Sequence, residues 1–535
     1  MKELLKKIIV DSLNQMDINK TIDEVSIEIP KDNINGDYST NIAMQLTKEL
    51  KISPRDIASK IIMGIKDNNI DKIEIAGPGF INFFVKKDYL LENINKVIRL
   101  GDNYGKLSDN NHKVNVEYVS ANPTGTLHLG HARGASYGDS LTRILSFAGF
   151  DVTREYYIND AGNQISNLTK SIEARYRGLC GLDENMPEDG YYGKEVIEVA
   201  KDIYNEYGNK VDNEDIFTKK GLELLLNKIK QDLKDFRVEF DIWSSEQSLY
   251  DSGKVQKTLE LLKNNKYTYE QDNALWLQTT MFGDEKDRVL IKSDGSNTYL
   301  LPDIAYHMEK YSRGYDSLIN VFGADHHGYI PRLKAGLTIM GEDSNKLSVE
   351  ILQMVRLVRS GQEVKMSKRT GNAVSMMELV EEVGLDAVRY FFAMRSIDTQ
   401  MDFDLDLATK KTNENPVYYV QYAHARINSI IKEYSKEINE LDSYSTITSD
   451  YAKDLLSKVY QFENVVEISA NKRAPHIITN YVYDLANLFH IYYAHEKVLT
   501  EDSVYTQERI NMIKAVAITI KNALRLIGVE AKDKM

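Results

Sequence analysis

The stretch Val114–Gly134, VNVEYVSANPTGTLHLGHARG, decides how this chain is read. It opens as a strand, passes through a Gly/Pro-rich turn and continues as an amphipathic helix from about 129 to 148, after which VTREYYI at 152–158 reads as a second strand. Strand, turn, helix and strand in so short a span form a parallel βαβ unit, whose carboxyl ends are where nucleotides bind in α/β sheets. His128 and His131 stand three apart at the helix start, so both rings face one side near its positive end, and Gly130 removes a side chain between them. Backbone N–H groups at a helix start bind anions, and two imidazoles can donate to charge developing on a phosphoryl group. A histidine pair alone is more often a satisfied surface pair; the preceding strand and Gly130 favour polyphosphate binding here.

A second segment, QEVKMSKRTGN at 362–372, follows an apolar run and a turn at Ser360-Gly361. It gathers Lys365, Lys368 and Arg369 on one loop, the charge that phosphoryl chemistry needs where pyrophosphate leaves. A basic loop is usually only solvated. Its occurrence after HxGH, in the order HxGH then KMSK and within one α/β frame, carries the reading.

Outward from these motifs, residues 1 to about 85 read as a small α+β unit in which two short β-like runs flank the turn Gly77-Pro78-Gly79, and 86–110 as a connector. Residues 185–260 are charged and read as mostly helical, an insertion between the halves of a split sheet that resumes at 288–292 and 317–322. From 414 to the end only helical spacing remains, which predicts a bundle.

Composition narrows the class. The chain has 535 residues, 42% hydrophobic and 27% charged, and contains no apolar run of the ~18 residues that span a bilayer. MKELLKKIIVDSLNQ at the start has helical spacing rather than a signal-peptide core, so a cytoplasmic protein without membrane contact is expected. The one cysteine, Cys180, supplies neither a disulfide nor a multi-thiolate zinc site and is expected as a partly buried thiol. Net charge is −13, yet the first 100 residues balance 15 basic against 15 acidic groups and the last 125 balance 15 against 16. The ends are neutral, and RNA contacts are expected there.

HLGH and KMSKR resemble the two signature motifs of class I aminoacyl-tRNA synthetases. TYLLPDIAYHMEKY, GADHHGYIPRL at 323–333, VGLDAVRYFFAMRS with MDFDLDLA, GPGFINF, ENPVYYVQYAHARI at 414–427 and the closing LRLIGVEAKDKM resemble arginyl-tRNA synthetases, so the resemblance spans essentially the whole chain. It implies an α/β, Rossmann-type catalytic domain at 111–410 with a helical insertion at about 185–260, a small N-terminal α+β domain with its connector at 1–110 and a helical anticodon-binding domain at 411–535. The activity implied is ATP-dependent activation of L-arginine and its transfer to the 2′-hydroxyl of the terminal adenosine of tRNA(Arg), with Mg²⁺ carried by the nucleotide, no zinc and a monomer.

The implied catalytic residues are His128, His131, Lys365 and Lys368. Arginine binding falls on Glu117, Ser120, Asn122, Tyr299 and Asp303, and carboxylate and amide acceptors suit a guanidinium. ATP binding falls on His128, Gly130, His131, Gly323, Asp325, His326, Lys365, Met366, Ser367 and Lys368, and tRNA contacts on Phe80, Asn82, Tyr418 and Tyr422. Taken singly, Asp303 also reads as an ordinary first-turn helix acid and each tyrosine as a core residue. Two other classes remain in view: a small HxGH nucleotidyltransferase, which needs neither terminal domain, and a synthetase-derived RNA-binding protein without activity.

Overall fold

The computed structural model describes residues 1–30, 35–211, 213–364 and 374–535. At the N-terminus, strands β1 (Tyr38–Thr40), β2 (Ile70–Ala76) and β3 (Phe80–Val85) form an antiparallel sheet in the order β1-β3-β2. Apolar positions at helical spacing on Lys2–Asn14 and Pro54–Met63, including Leu5, Ile9, Ile57 and Ile61, cover it with a core of their own. Lys2 reaches Glu467 at 2.8 Å and so ties this unit to the C-terminal helices.

The catalytic domain is built on β4 (Lys113–Glu117), β5 (Asp151–Ile158) and β6 (Ile242–Ser245), and later in the chain β10 (Ser317–Gly323) and β11 (Leu347–Leu352), after an antiparallel sheet of β7 (Thr268–Gln271), β8 (Ala274–Leu277) and β9 (Arg288–Ile291). The five strands are parallel in the order β11-β10-β4-β5-β6. Chain direction across the sheet reverses between β4 and β10, and the crevice above that point is where an open α/β sheet takes its ligand. A further sheet joins β12 (Val355–Arg359), β13 (Gln362–Glu363) and β14 (Met401–Asp404).

Alternation on β4 sends Val114 and Val116 into the main core and leaves Asn115 and Glu117 buried on the other face. The helix Leu129–Phe147 packs closely against this region because its buried side is rich in small residues. A Cβ on Gly138 would lie 2.2 Å from Cγ of Tyr118, near the root of a fully buried ring that has no room to swing away. Gly138→Ala is therefore expected to cost about 1–3 kcal/mol by overpacking, read as a lower melting temperature of the intact protein.

The C-terminal bundle, Pro416–Tyr434 through Ser503–Leu526, shares one continuous core with the catalytic sheet. Arg389, fully buried, pairs with Asp139 of the long catalytic helix and donates to the carbonyls of Phe236 and Ile527, which fastens the chain's end to the catalytic domain. No helix among the described residues is long and apolar enough to cross a membrane.

Two elements differ from the sequence reading: the run at 288–292, read as the split sheet resuming, is β9, which pairs with β8 in the separate antiparallel sheet, and the second is β6. β6 lies within the span read as a mostly helical insertion, and it forms the outer strand beside β5 with Ile242 opposite Glu155. Four residues are too few for a period-2 pattern to stand out between helices, so only the pairing defines the strand. The helices Lys194–Tyr207 and Glu214–Asp235 do form a separate layer, with Val199, Ile203 and Phe217 in its own core. Cys180 is half-buried.

Candidate active site

A cavity of about 1680 Å³ opens at the carboxyl ends of β4, β5 and β10. Its wall includes Glu117, Ser120, Asn122, His128, Gly130, His131, Tyr299, Asp303, Gly323, Asp325 and His326, which the sequence scatters over more than 200 positions.

At one end, His128 caps the helix Leu129–Phe147 and its ring stacks on His131, with centroids 3.7 Å apart and planes 25° from parallel. The N–H of Gly130 donates to Nδ1 of His128 at 3.1 Å, and the N–H of His128 donates to Nδ1 of His131 at 3.2 Å. Because both Nδ1 atoms accept, each neutral ring carries its proton on Nε2. Burial lowers both imidazoles, and His131, with His128 adding to the effect, falls to about 3. The pair is therefore two neutral N–H donors at a helix start rather than two cations. Arg133 holds this helix in place: its buried guanidinium donates to the carbonyls of Gln353 at 2.7 Å and of Ser396 and Thr399 at 2.9 Å each. Gln353 and Met354 form the adjoining wall.

The other end is acidic. Asp303 sits in the first turn of the helix Leu300–Ser312, recessed in the wall and bonded to the Tyr329 hydroxyl. Burial raises its pKa to about 7, with Glu246 and Glu117 adding to the effect and Tyr329 and Lys310 opposing it. Tyr299, four residues earlier, stands at the mouth with 73% of its surface exposed, so the two flank the pocket at different depths. Asn122 donates to Gln164 Oε1 at 2.6 Å, and both line the cavity. Ser120 donates to Glu117 Oε1 at 3.1 Å and accepts from the N–H of Tyr157 at 3.1 Å. Val119 and Ser120 hold φ of 69° and 40°. A left-handed conformation at a β-branched residue stores strain, of order 1–3 kcal/mol, that the surrounding bonds must maintain.

Glu246 was missed in the sequence. It opens the helix Glu246–Asp251, lies buried in the cavity wall, and is raised to about 7 by burial and by Asp160, against a hydrogen bond with Tyr157. Following the cap Ser245, it reads as a first-turn helix acid, and no local pattern separates that role from a pocket role.

Asp325 and His326 lie on the exposed turn after β10 with a 3.4 Å contact between them. Lys365, Met366, Ser367 and Lys368 lie outside the described residues; on either side of that span, Glu363, Val364 and Val374 line the cavity, and Ser375 bridges to His128. The RNA candidates are elsewhere. Phe80 is half-exposed at the start of β3, whereas Asn82 is buried with its Oδ1 accepting from Ser39 at 2.7 Å. Tyr418 and Tyr422 stack nearly parallel with centroids 6.2 Å apart, and Arg426 lies over Tyr422 and Tyr493.

Comparisons with known proteins bear on the family and the fold. The family described as arginyl tRNA synthetase N terminal domain matches residues 3–85, tRNA synthetases class I (R), catalytic domain, matches 93–434, and the DALR anticodon binding domain matches 420–535. The arginine--tRNA ligase of Staphylococcus carnosus is 52% identical over 548 residues, covering 100% of this chain and 99% of that protein. The chain belongs to the arginyl-tRNA synthetase family. A putative arginyl tRNA synthetase from Campylobacter jejuni superposes with a TM-score of 0.79 at 38% identity, covering 84% of this chain and 100% of that one. Arginyl-tRNA synthetase of Thermus thermophilus, at 23% identity and a TM-score of 0.80 over 100% of both chains, shares the fold. The α/β catalytic core with a small N-terminal domain and a helical C-terminal domain is thus the architecture of an arginyl-tRNA synthetase.

Proposed function

We infer that this chain is an arginine-tRNA ligase that activates L-arginine with ATP and transfers it to tRNA(Arg). The observation that carries the reading is one cavity, at the sheet's switch point, with paired neutral imidazole donors at one end and buried carboxylates at the other. The acidic end takes the guanidinium and α-ammonium through Glu117, Asn122, Asp303 and Glu246, with Tyr299 closing over them from the rim. Arginine's carboxylate then faces the ATP α-phosphorus, which it attacks with loss of pyrophosphate. Nε2–H of His128 and His131 donates to the phosphoryl oxygens as charge develops, and the Lys365 and Lys368 ammonium groups neutralise the leaving pyrophosphate. Asp325 and His326 border the ribose and base.

Mg²⁺ enters on the phosphates of ATP. The 2′-hydroxyl of the terminal adenosine attacks the resulting adenylate carbonyl, so the protein's contribution is position and charge more than proton transfer. A cytoplasmic monomer is the expected form of the enzyme. Purified protein is expected to charge total tRNA with arginine, dependent on ATP, and with no other amino acid; failure to do so overturns the reading.

The tRNA is expected to lie against both neutral ends. Base stacking on an aromatic is worth about 1–3 kcal/mol, so Phe80→Ala should raise the KM for tRNA roughly 5- to 150-fold while leaving the KM for arginine unchanged. A tRNA KM equal to wild type would take Phe80 out of the RNA interface.

A further inference from the structure

Beneath the acidic end of the cavity the sheet carries polar side chains where apolar packing is the rule. Asn320 of β10, Glu117 of β4 and Glu155 of β5 stand side by side in one register row, all buried. The helix Leu300–Ser312 crosses this row and opposes it with His307, Lys310 and, at its C-cap, Arg313, spaced three apart and so on one stripe.

Lys310 has no exposed side-chain surface; it donates to Glu117 Oε2 at 2.5 Å and to Asn320 Oδ1 at 3.2 Å. Asn320 Nδ2 lies 2.8 Å from His307 Nε2, and His307 Nδ1 lies 2.8 Å from the carbonyl oxygen of Asp303. A carbonyl only accepts, so Nδ1 carries the proton and Nε2 accepts from the amide. The bonds therefore run in one direction, from Lys310 through Asn320 and His307 to the backbone of Asp303. Burial, with the Lys310 charge, lowers His307 to about 3, so the ring stays neutral and the direction does not invert.

We propose that Lys310 is a positioning residue for amino-acid selection, which fixes Glu117 directly and Asp303 through Asn320 and His307 at one separation matched to the cationic substrate. The proposal rests on the arginine reading above. One consequence follows from the geometry. With Oε2 taken, Glu117 offers the substrate only Oε1, already shared with Ser120, and Asp303 likewise carries the Tyr329 hydroxyl on Oδ2, so neither carboxylate has both oxygens unengaged for a two-oxygen fork to a guanidinium.

The test is steady-state charging kinetics of Lys310→Met and Asn320→Leu in the full chain, with arginine and ATP varied separately and Asp303→Asn measured alongside. Lys310→Met is expected to raise the arginine KM about 10-fold or more, and Asn320→Leu roughly 5-fold, with the ATP KM within about twofold in both. A merely structural role would lower the melting temperature without splitting the two KM values. Should Lys310→Met not fold, Asn320→Leu decides, since it leaves the Lys310–Glu117 contact in place. Unchanged arginine KM, or equal shifts for both substrates, overturns the proposal. If Asp303→Asn also leaves the arginine KM unchanged, the failure lies in the arginine reading rather than in the chain of bonds.

Discussion

His131→Ala is expected to lower kcat for arginine-dependent charging about 10²-fold or more with small changes in either KM, the loss seen when a preorganised donor to a developing oxyanion is removed. The bond involved strengthens mainly in the transition state, because the negative charge on the phosphoryl oxygens that it meets develops only there. The neutral state of the pair adds a second expectation. Burial holds His131 at about 3, so lowering the pH from 8 to 5 leaves this donor unchanged. A rate that rose on acidification with a His131-dependent midpoint near 6 would mean that the imidazolium is the operative form.

Asp303→Asn should have the largest effect on amino-acid binding. A charged hydrogen bond is worth about 1.5–3 kcal/mol, so the arginine KM should rise roughly 10- to 150-fold with the ATP KM little changed. Comparable shifts for both substrates would move Asp303 out of the arginine pocket.

The same carboxylates set a pH dependence whose sign follows from their raised pKa values. Asp303 and Glu246, both near 7, keep their protons in the empty protein through a range where unfolded chains have lost theirs. Each therefore lowers the stability of the empty protein as pH rises from about 4 toward 7. The cationic substrate binds the ionised forms, so arginine affinity should fall as pH is lowered from 8 to 6. Isothermal titration with arginine across that range measures it, and an affinity independent of pH would contradict the assigned carboxylates.

How far the site could be read in advance depended on the range of the interactions concerned. HLGH announces a helix start after a strand, and every bond orienting the two rings lies within four residues, from His128 to His131. The resemblance put Asp303 and Tyr299 on one site and both line the cavity, but their unequal depth in its wall was not legible. Glu246 looks like any acid after a serine cap, and Lys310 like an ordinary cation late in a helix.

The sequence by itself determined the class of fold and the family, because these rest on local periodicity and on motifs whose residues are neighbours in the chain. Only the tertiary structure decided that β6 completes the sheet, that the imidazoles are neutral Nε2 donors, and that Lys310 lies beneath Glu117. Each of these depends on strand register, on burial or on a contact between residues far apart in the chain, 193 positions in the case of Glu117 and Lys310. Register and burial are properties of the assembled molecule: a lysine in water is a solvated charge, and only the sheet and helix closing over it turn it into a fixed donor that orders the groups around it.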